Sequence, residues 1–400
     1  MLVVQKYGGS SVANAERVLN VAKRIAETYE AGNSLVVTVS AQGDTTDDLI
    51  AKAKEINPSP SKREMDMLLS TGEQISISLL AMALEGMGLS VVSLTGWQAG
   101  IQTDSKYGVA KIKQINTERI ASLLDKNKIV IVAGFQGINK YDDITTLGRG
   151  GSDTSAVALA ASLHADLCQI YTDVEGVYTT DPRICPDAKK LKDISYDEML
   201  ELASLGANVL MNRSVELAKK YSVNLEVLSS LKKVPGTLVK EVRNMEKAVV
   251  RGVTRDNDVA MISLLDVPDE PGIAFKVFSL LAKKNINVDM IIQSIGRENN
   301  KDISFTVKID NCQEAVDLLK ENFSAARDVV YNDKVSKVSI VGAGMVSNPG
   351  VAATMFEAMY NAHINIHMIG TSEIKVSVLI DREYSEKAVA SLHDKFILGK

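Results

Sequence analysis

The sequence predicts an α/β protein in which a mostly parallel sheet, with helices on both faces, is followed by a smaller duplicated module. Over roughly the first 230 residues, short β-branched runs alternate with amphipathic helical stretches. The pattern changes at Lys232–Lys247, which we interpret as a connector. Beyond it, two segments share matching residues at a fixed offset. These observations divide the chain into a larger and a smaller part.

Six runs are predicted to be strands of the larger part, and amphipathic stretches between them are predicted to be helices. The strands are Leu2–Gln5, Leu35–Val39, Val91–Leu94, Ile129–Ala133, Leu167–Tyr171 and Leu225–Leu228. The helices are Ala13–Tyr29, Gln74–Leu84 and Thr117–Asp125, with a further helix beginning at the capping box Ser195–Glu198. Because ligands of such sheets bind at the carboxyl ends of the strands, the loops after the strands are expected to carry the chemistry.

The smaller part contains an internal repeat. Pro271-Gly272 and Pro349-Gly350 each precede a predicted helix, and these pairs, like the residues that follow them, lie 78 positions apart. Several identities at one fixed offset indicate a duplication, and each copy is predicted to fold as strand, helix, strand, strand, helix. The first copy has a fourth strand at Asp328–Val335, whereas the second has none. We therefore expect residues 248–253 to supply it, so that the first repeat is inserted into the second.

Composition and charge exclude several classes of function. Of the 400 residues 46% are hydrophobic, and a net charge of −5 provides no basic field for binding nucleic acid. The three cysteines are too few and too scattered for a disulfide framework and fit a reducing compartment. The four histidines lack metal-ligand spacing, so no metal site built by the protein is expected. Without a signal peptide or an apolar run of membrane-spanning length, a cytoplasmic protein is predicted.

Two glycine-rich loops are the main candidates for binding anions. Lys6-Tyr7-Gly8-Gly9-Ser10-Ser11 lies between a predicted strand and a helix, so backbone N–H groups can approach a phosphate while Lys6 adds a charge. Residues 147–154 place three glycines around Arg149, before an Ala-rich helix predicted at Ser155–His164. The fork of a guanidinium group suits a carboxylate. The alternatives without function are a tight turn for the first loop and a flexible surface turn for the second.

Two further segments carry carboxylates at positions suited to ligand binding. Glu73, in Ser70-Thr71-Gly72-Glu73, is expected at a helix N-terminus, where favourable placement in the helix dipole competes with a role as partner of a substrate ammonium group. Residues 171–183 follow a strand and carry Asp173, Asp181 and Arg183. These suit contacts with ribose, magnesium and phosphate, although Asp-Pro is also a common turn.

Taken in order, these motifs closely resemble those of the aspartokinase family over essentially the whole chain. The resemblance rests on Val4–Ser11, Val39–Ala41, Thr45–Asp47, Ser70–Gln74, Thr95–Gly100, Gly148–Ser155 and Thr172–Val174. It implies a carbamate-kinase-like, three-layer αβα amino-acid-kinase domain followed by two ferredoxin-like ACT domains. The implied bounds are 1–232 for the kinase domain, 233–247 for the connector, 258–335 for the inserted first ACT domain, and 248–257 with 336–400 for the second.

The reaction so implied converts ATP and L-aspartate to ADP and 4-phospho-L-aspartate, the first step in making lysine, threonine and methionine. The attacking carboxylate has a pKa of about 4 and is already ionised, so no general base is needed. Catalysis then reduces to holding two anions in line and neutralising their charge. Magnesium is expected to arrive with ATP.

The resemblance also implies roles for single residues. Lys6, Arg149 and Glu73 would be catalytic, with Arg149 clamping a substrate carboxylate and Glu73 facing its ammonium group. The ATP-binding residues would be Lys6, Tyr7, Gly8, Gly9, Ser40, Thr172, Asp173, Tyr178, Asp181 and Arg183. The aspartate-binding residues would be Thr45, Asp47, Glu73, Arg149, Gly150, Gly151, Ser152 and Asp153.

For the repeats, the resemblance implies feedback inhibition by lysine, threonine or both, and a homodimer through the ACT domains that can pair into a tetramer. We expect Asp289 to recognise the effector's ammonium group. The implied effector-binding residues are Asp269, Pro271, Gly272, Ile273, Ala274, Asn287, Val288, Asp289, Gln293, Asn365, Ile366, Thr371, Ser372 and Glu373.

The sequence departs from the family at Asn208, where relatives carry a lysine that points at the phosphates. Either transition-state stabilisation is weaker here, and Asn208→Lys then raises kcat, or a nearby cation such as Arg213 substitutes. Three alternatives stay open at this point. They are a related kinase acting on glutamate, acetylglutamate or UMP, a catalytically weak amino-acid sensor and, more distantly, a dehydrogenase. A kinase fused to a dehydrogenase is not expected within 400 residues.

Overall fold

The computed structural model describes residues 1–206, 209–242, 249–294, 299–323 and 325–398. These residues form two compact units. The first holds residues 1–177, 190–203 and 209–242, and the second holds the remainder. The bounds of the predicted kinase domain, 1–232, stay a prediction, although residues 178–189 belong to the second unit. The reason is packing: Cys185 is buried in a hydrophobic core of that unit, and the Thr179 hydroxyl lies 2.8 Å from Nε2 of the buried His393.

The first unit is built from a large sheet, a small sheet and the helices that cover them. In the part that the structure describes, its strands are β1 (Leu2–Tyr7), β2 (Ser34–Val39), β3 (Val91–Leu94), β4 (Ile101–Thr103), β5 (Ile112–Ile115), β6 (Ile129–Ala133), β7 (Gln136–Ile138), β8 (Ile144–Thr146), β9 (Leu167–Thr172), β10 (Asp193–Ile194), β11 (Leu225–Ser229) and β12 (Thr237–Val239). Its helices are α1 (Ala15–Glu30), α2 (Thr45–Ile56), α3 (Lys62–Gly86), α4 (Glu118–Leu124), α5 (Gly151–Ser162), α6 (Tyr196–Ser204) and α7 (Asn212–Tyr221).

The large sheet has the strand order β10–β12–β11–β9–β1–β2–β6–β3. All neighbours are parallel except β11 and β12. The six predicted strands are all present, so the prediction of a mostly parallel sheet is confirmed. The small sheet has the order β5–β4–β7–β8.

Helices cover both faces of the large sheet, as side-chain alternation along β1 shows. Val3 and Tyr7 are buried in one core with residues of α1 and α3, such as Ile25 and Leu80. Because successive side chains of a strand point to opposite faces, Lys6 points the other way, where it meets α5. The carboxyl ends of β1, β2, β6 and β9 meet at one edge of this sheet.

The helix α3 corrects two predictions. It begins at Lys62, where Ser61 accepts a hydrogen bond from the Glu64 N–H, so Glu73 lies in the middle of the helix and not at its N-terminus. The dipole explanation for Glu73 is therefore wrong. By length and composition α3 could also cross a membrane, contrary to the expectation that no run reaches that length. Half of the most apolar stretch of α3 is buried inside the protein, which fits a helix of the core.

The segment after β11 also differs from the prediction of a plain connector at 233–247. Thr237–Val239 forms β12 and pairs with β11 and β10, so it belongs to the large sheet. By contrast, the capping box is confirmed. The Ser195 Oγ accepts from the Glu198 N–H at 3.3 Å, and the Glu198 carboxylate accepts from the Ser195 N–H at 3.2 Å.

The second unit is built from two four-stranded sheets. In the part that the structure describes, its strands are β13 (Gly252–Asp256), β14 (Ala260–Pro268), β15 (Ile291–Gln293), β16 (Asn300–Val307), β17 (Asp328–Asn332), β18 (Val335–Val341), β19 (Met368–Thr371) and β20 (Lys375–Asp381). Its helices are α8 (Ile273–Lys283), α9 (Cys312–Asn322), α10 (Val351–Asn361) and α11 (Ser385–His393). The sheet orders are β15–β16–β14–β17 and β13–β18–β20–β19.

The two repeats match in detail. The glycines before α8 and α10 have φ of 92° and 90°, a left-handed conformation that favours glycine. After each helix, Asn285 and His363 also have positive φ, at 58° and 54°. Each repeat has its own core, and a third cluster that includes Met290 combines residues of both. The equivalent backbone geometry follows from the duplicated sequence.

The strand β13 lies next to β18 in the sheet of the second repeat. It precedes β14, which belongs to the sheet of the first repeat. Residue 248 of the predicted donor segment lies outside the described residues. The proposed bounds of the two ACT domains, 258–335 and 248–257 with 336–400, stay a prediction.

Candidate active site

The first glycine-rich loop lies against the loop that follows β2. A Cβ atom on Gly9 would come within 2.6 Å of the Ala41 carbonyl oxygen, so this close approach requires glycine. The Gly43 N–H donates to the Gly9 carbonyl at 3.1 Å, and the Ser40 N–H donates to the Tyr7 carbonyl at 3.1 Å. These backbone contacts fix the loop at the edge of the sheet where the strands end.

Lys6 joins the first glycine-rich loop to the second. Its Nζ lies 2.6 Å from Oδ1 of Asp153, in the first turn of α5, and both side chains are only 12% and 10% exposed. A Cβ atom on Gly8 would lie 3.3 Å from the same Nζ, so the missing side chain leaves room beside the ammonium group. The two loops therefore meet at one ion pair between residues 147 positions apart in the chain.

Glu73 reaches the same edge of the sheet from α3. Its Oε1 accepts from the Ala41 N–H at 3.1 Å, whereas its Oε2 is buried without a hydrogen-bond partner among the described residues. Burial raises the pKa of Glu73 to about 8. Gly72 permits the approach, because a Cβ atom there would be 2.9 Å from the Ala41 side chain. A half-satisfied buried carboxyl group is a candidate partner for a cationic ligand.

Arg149 lies on a loop shaped by glycine. Gly148 and Gly150 have φ of 78° and 68°, and α5 begins directly after them. Ser152 and Asp153, in the first turn of α5, are buried. Arg149 itself is exposed and makes no hydrogen bond or ion pair with any residue that the structure describes. Its guanidinium group is therefore open to an incoming anion.

Other predicted ATP and substrate residues lie around these loops. The Thr45 hydroxyl donates to the Gln42 carbonyl at 2.6 Å at the start of α2, and Asp47 is exposed in the first turn of that helix. At the end of β9, the Thr172 hydroxyl donates to Asp173 at 3.0 Å. The carbonyl before it, on Tyr171, lies 4.0 Å from a Cβ atom built on Gly8.

Four of the predicted ATP-binding residues do not present their side chains beside the two glycine-rich loops. The Tyr7 ring is fully buried and stacks on Tyr171 with centroids 4.5 Å apart, so only its backbone can face a ligand. Tyr178, Asp181 and Arg183 belong to the second unit. Arg183 binds Asp181 through Nη2 at 2.7 Å and Nε at 3.0 Å and thereby holds the pKa of that carboxyl below its usual range.

Asn208, where the sequence departs from the family, lies outside the described residues. Arg213, the cation suggested as a substitute for the family's lysine, makes hydrogen bonds of its own. Arg213, in the first turn of α7, donates from Nη1 to the Leu147 carbonyl and from Nη2 to the Ala110 carbonyl, each at 2.9 Å. These two hydrogen bonds argue against Arg213 as the replacement for the missing lysine at the phosphates, and its role there stays a prediction.

The predicted effector residues gather in the second unit. Most are exposed, but Ile273 is buried in the first repeat's core, so its side chain cannot contact a ligand. Asp269 pairs with Lys301 at 2.7 Å, and Asp289 forms an ion pair with Lys337 of β18. The exposed set comprises Pro271, Gly272, Ala274, Asn287, Gln293, Asn365, Thr371, Ser372 and Glu373, and Val288 and Ile366 are half-buried.

Sequence reasoning missed Asp66. It lies on α3, is 1% exposed, and accepts three hydrogen bonds from the strand and loop next to Arg149. A signal was available, because Asp66, Ser70 and Glu73 are spaced by four and three residues and so share one face of a helix. That signal was lost when the helix was predicted to start only at Gln74.

Comparisons with known proteins agree with this architecture. Residues 1–229 match the amino acid kinase family, and residues 265–323 and 338–396 match the ACT domain. The chain is 51% identical over 406 residues to an aspartokinase of Mycolicibacterium smegmatis, covering 100% of this chain and 96% of that one.

Two solved structures of one relative are similar over nearly the whole chain. A structure of E. coli aspartokinase III in complex with aspartate and ADP superposes with a TM-score of 0.83 at 25% identity and covers 99% of both chains. A structure of the same protein in complex with lysine and aspartate superposes with a TM-score of 0.79 at 26% identity, again over 99% of both.

Proposed function

Since this chain belongs to the aspartokinase family and is an ATP-dependent kinase that phosphorylates aspartate, we propose that its first unit binds phosphate at Lys6 and a substrate carboxylate at Arg149. The ion pair between Lys6 and Asp153 carries the proposal, since it joins the two glycine-rich loops at the carboxyl edge of the sheet. An anion that reaches Lys6 is then close to the loop that presents Arg149.

Phosphoryl transfer between two anions depends on positioning and on neutralising negative charge. The side-chain carboxylate of aspartate attacks the γ-phosphorus of ATP, the bond from that phosphorus to the bridging oxygen breaks, and ADP leaves with the electron pair. Lys6 stabilises charge on the phosphate oxygens, and the N–H groups around Gly8 and Gly9 donate hydrogen bonds to these oxygens. The acceptor is already ionised, so the step needs no base.

Glu73 orients the substrate through its ammonium group. The unpartnered Oε2 of Glu73 would accept from this group, and Arg149 would bind the α-carboxylate through two parallel N–H bonds. Thr45 lies beside this position, because its Cγ2 is 3.5 Å from a Cβ atom built on Gly72. Two opposite charges on the substrate thus meet two opposite charges on the protein.

The nucleotide is proposed to lie near Gly8, Thr172 and Asp173. Magnesium would come with ATP, since the ion usually binds substrate phosphates together with few protein ligands. We assign it no ligand in this chain. The E. coli relative solved with aspartate and ADP supports this pair of ligands for the present chain.

We also propose that the second unit senses an end product of the pathway and pairs two copies of the chain. The E. coli relative solved with lysine supports an amino-acid effector, bound at the exposed residues around Asp289. The edge strand β15 and its exposed Ile291 and Ile292 are a proposed contact for the homodimer, which can pair further into a tetramer. A cytoplasmic location fits the three free cysteines.

The test is ADP release measured with aspartate, glutamate, acetylglutamate and UMP as acceptors, for the natural chain and for Arg149→Met. We expect release with aspartate alone, and a fall in kcat/KM for aspartate of about 100-fold in Arg149→Met, since a desolvated charge pair is lost. Arg119→Met, which changes an exposed arginine on α4, is the matched control and should be unaffected. ATP binding without aspartate-dependent release would support the weak-sensor alternative.

A further inference from the structure

Asp66 connects α3 to two segments beside the Arg149 loop. Its Oδ2 accepts from the Gly108 N–H and from the Thr146 N–H, each at 2.9 Å, and its Oδ1 accepts from the Thr146 hydroxyl at 2.7 Å. Burial raises the pKa of Asp66, and these hydrogen bonds oppose that effect. A carboxylate this buried persists because its oxygens are satisfied.

Arg213 connects α7 to the same two segments. It donates to the Ala110 carbonyl, two positions after Gly108, and to the Leu147 carbonyl, one position after Thr146. The two segments also bond directly, because the Ala110 N–H donates to the Thr146 carbonyl at 2.9 Å. Asp66, which accepts from N–H groups, and Arg213, which donates to carbonyl oxygens, thus hold residues 108–110 against residues 146–147.

The Arg149 loop is closed by one hydrogen bond of its own, from the Gly151 N–H to the Gly148 carbonyl at 2.9 Å, and it continues directly from the segment that this pair holds. Gly148 and Gly150 flank Arg149 in left-handed conformations, and glycine gives a free chain many alternatives to these. A Cβ atom on Gly148 would be 3.1 Å from the Gly108 carbonyl, and one on Gly150 would be 2.0 Å from Cγ of Met211. The loop is therefore packed against residue 108, whose N–H Asp66 binds, and against Met211, two positions before Arg213.

We propose that Asp66 and Arg213 are positioning residues for aspartate binding, which act by holding the loop that presents Arg149. The inference rests on the proposed role of Arg149 as the clamp for a substrate carboxylate. A bidentate contact requires the guanidinium plane to be held within narrow limits, and an arginine between two glycines keeps that orientation only if the segments beside the loop stay in place. Neither residue needs to touch the substrate.

The experiment measures KM for aspartate, KM for ATP and kcat in Asp66→Asn and Arg213→Lys. An asparagine oxygen can accept only part of the three hydrogen bonds, and a lysine ammonium group cannot span two carbonyls as the arginine fork does. We expect KM for aspartate to rise about tenfold while KM for ATP stays within about twofold, because loss of one or two buried hydrogen bonds changes binding on this scale.

A double-mutant cycle separates positioning from general damage. In the Arg149→Met background, Arg213→Lys should leave KM for aspartate unchanged, since the residue that it positions is gone. Effects that simply multiply in the double variant, or a parallel rise in KM for ATP, would overturn the inference.

A milder pair of variants covers the case in which the charged variants do not fold. Thr146→Val removes one hydrogen bond to Asp66, whereas Thr145→Val, the control, removes the neighbouring hydroxyl that bonds Thr103 at 2.6 Å. Thr146→Val should raise KM for aspartate more than its control does, and equal effects would contradict the inference. If instead Arg149→Met leaves aspartate binding intact, the proposed function itself fails, which is a distinguishable result.

Discussion

The predicted catalytic residues of the first unit and the predicted effector residues of the second unit differ in how their charges are partnered. In the first unit, Arg149 is exposed without an ion pair to any described residue, and Oε2 of Glu73 has no hydrogen-bond partner there. In the second unit, two of the three acidic residues in the predicted effector set are already paired. Asp269 binds Lys301, and Asp289 binds Lys337.

The difference indicates two modes of ligand binding. A substrate that reaches the first unit adds partners to groups that lack them. An effector ammonium group at Asp289 would compete with the Lys337 ammonium group, so we expect effector binding to exchange one ion pair for another. Because Lys337 lies on β18 of the second repeat and Asp289 belongs to the first, this exchange releases a contact between repeats. A ligand shifts a conformational equilibrium only through such differential contacts.

The largest effect is expected at Lys6, and its absence would contradict the comparison between the two units. Lys6→Met removes the charge proposed to stabilise the phosphates, and we expect kcat to fall by about 10²- to 10³-fold, the scale on which single transition-state donors act. Lys23→Met, which changes an exposed lysine of α1, is the control and should keep full activity. Near-normal turnover in Lys6→Met would show that its ion pair with Asp153 is purely structural.

The next effect concerns the open oxygen of Glu73. With a pKa of about 8, the Glu73 carboxyl group of the free enzyme is largely protonated at neutral pH. Only the ionised carboxylate attracts an ammonium group strongly. We therefore expect KM for aspartate to fall as the pH rises toward about 8. In Glu73→Gln, KM should be raised about tenfold and its pH dependence should flatten, since one charged hydrogen bond is lost. Initial rates between pH 6.5 and 8.5 test this, and an unchanged pH profile in Glu73→Gln would contradict it.

The same pKa shift has a consequence for stability, with a defined sign. Because the folded protein holds the Glu73 proton more tightly than the unfolded chain does, this group's contribution is fully present below its ordinary pKa of 4.5 and is lost as the pH rises to about 8. Glu73→Gln should remove that contribution, so the variant's free energy of unfolding should change less between these pH values. Denaturant titrations at pH 5 and pH 8 make the comparison.

Much of the fold follows from local sequence, and the failures have tertiary causes. β-branched runs predict the central strands because such residues fit a sheet covered on both faces. The start of α3 was missed because Gly72 weakens a helical pattern, yet glycine is required there for contact with Ala41. The strand β12 was missed because three residues carry no periodicity. Gly236, just before it, passes so close to the Val227 carbonyl that a Cβ atom would lie 2.1 Å away.

The site was predictable as motifs but not as contacts. Gly8, Gly9 and Arg149 could be assigned because glycine-rich turns before helices have a recognisable chemistry. The pairing of Lys6 with Asp153 could not be predicted, because it joins two loops that are distant in sequence. It depends on how β1 and α5 pack in the fold. Arg213 was assigned to the phosphates on its charge alone, and only the fold shows that the Leu147 and Ala110 carbonyls already engage it.

A smaller effect should sharpen the comparison on the side of the second unit. Asp289→Asn weakens the proposed effector contact, and we expect the concentration of lysine or threonine for half-inhibition to rise about tenfold, as for a lost charged hydrogen bond. Lys337→Met should lower that concentration, because the effector no longer competes with an internal ammonium group. Initial rates with lysine, threonine and both together give these values. Inhibition that is unchanged in Asp289→Asn would remove this residue from the effector site.

The smallest effect is expected at His367, which occupies in the second repeat the position that Asp289 occupies in the first. Its Nε2 lies 2.8 Å from Asp381, a residue of the same repeat, so this pair does not link the repeats and has no ammonium group to exchange. His367→Gln should therefore keep half-inhibition within about twofold of the natural chain, since a partly exposed pair contributes little. A loss of inhibition as large as that of Asp289→Asn would mean that the repeats sense the effector symmetrically. The exchange at Lys337 would then be no more than half of the mechanism.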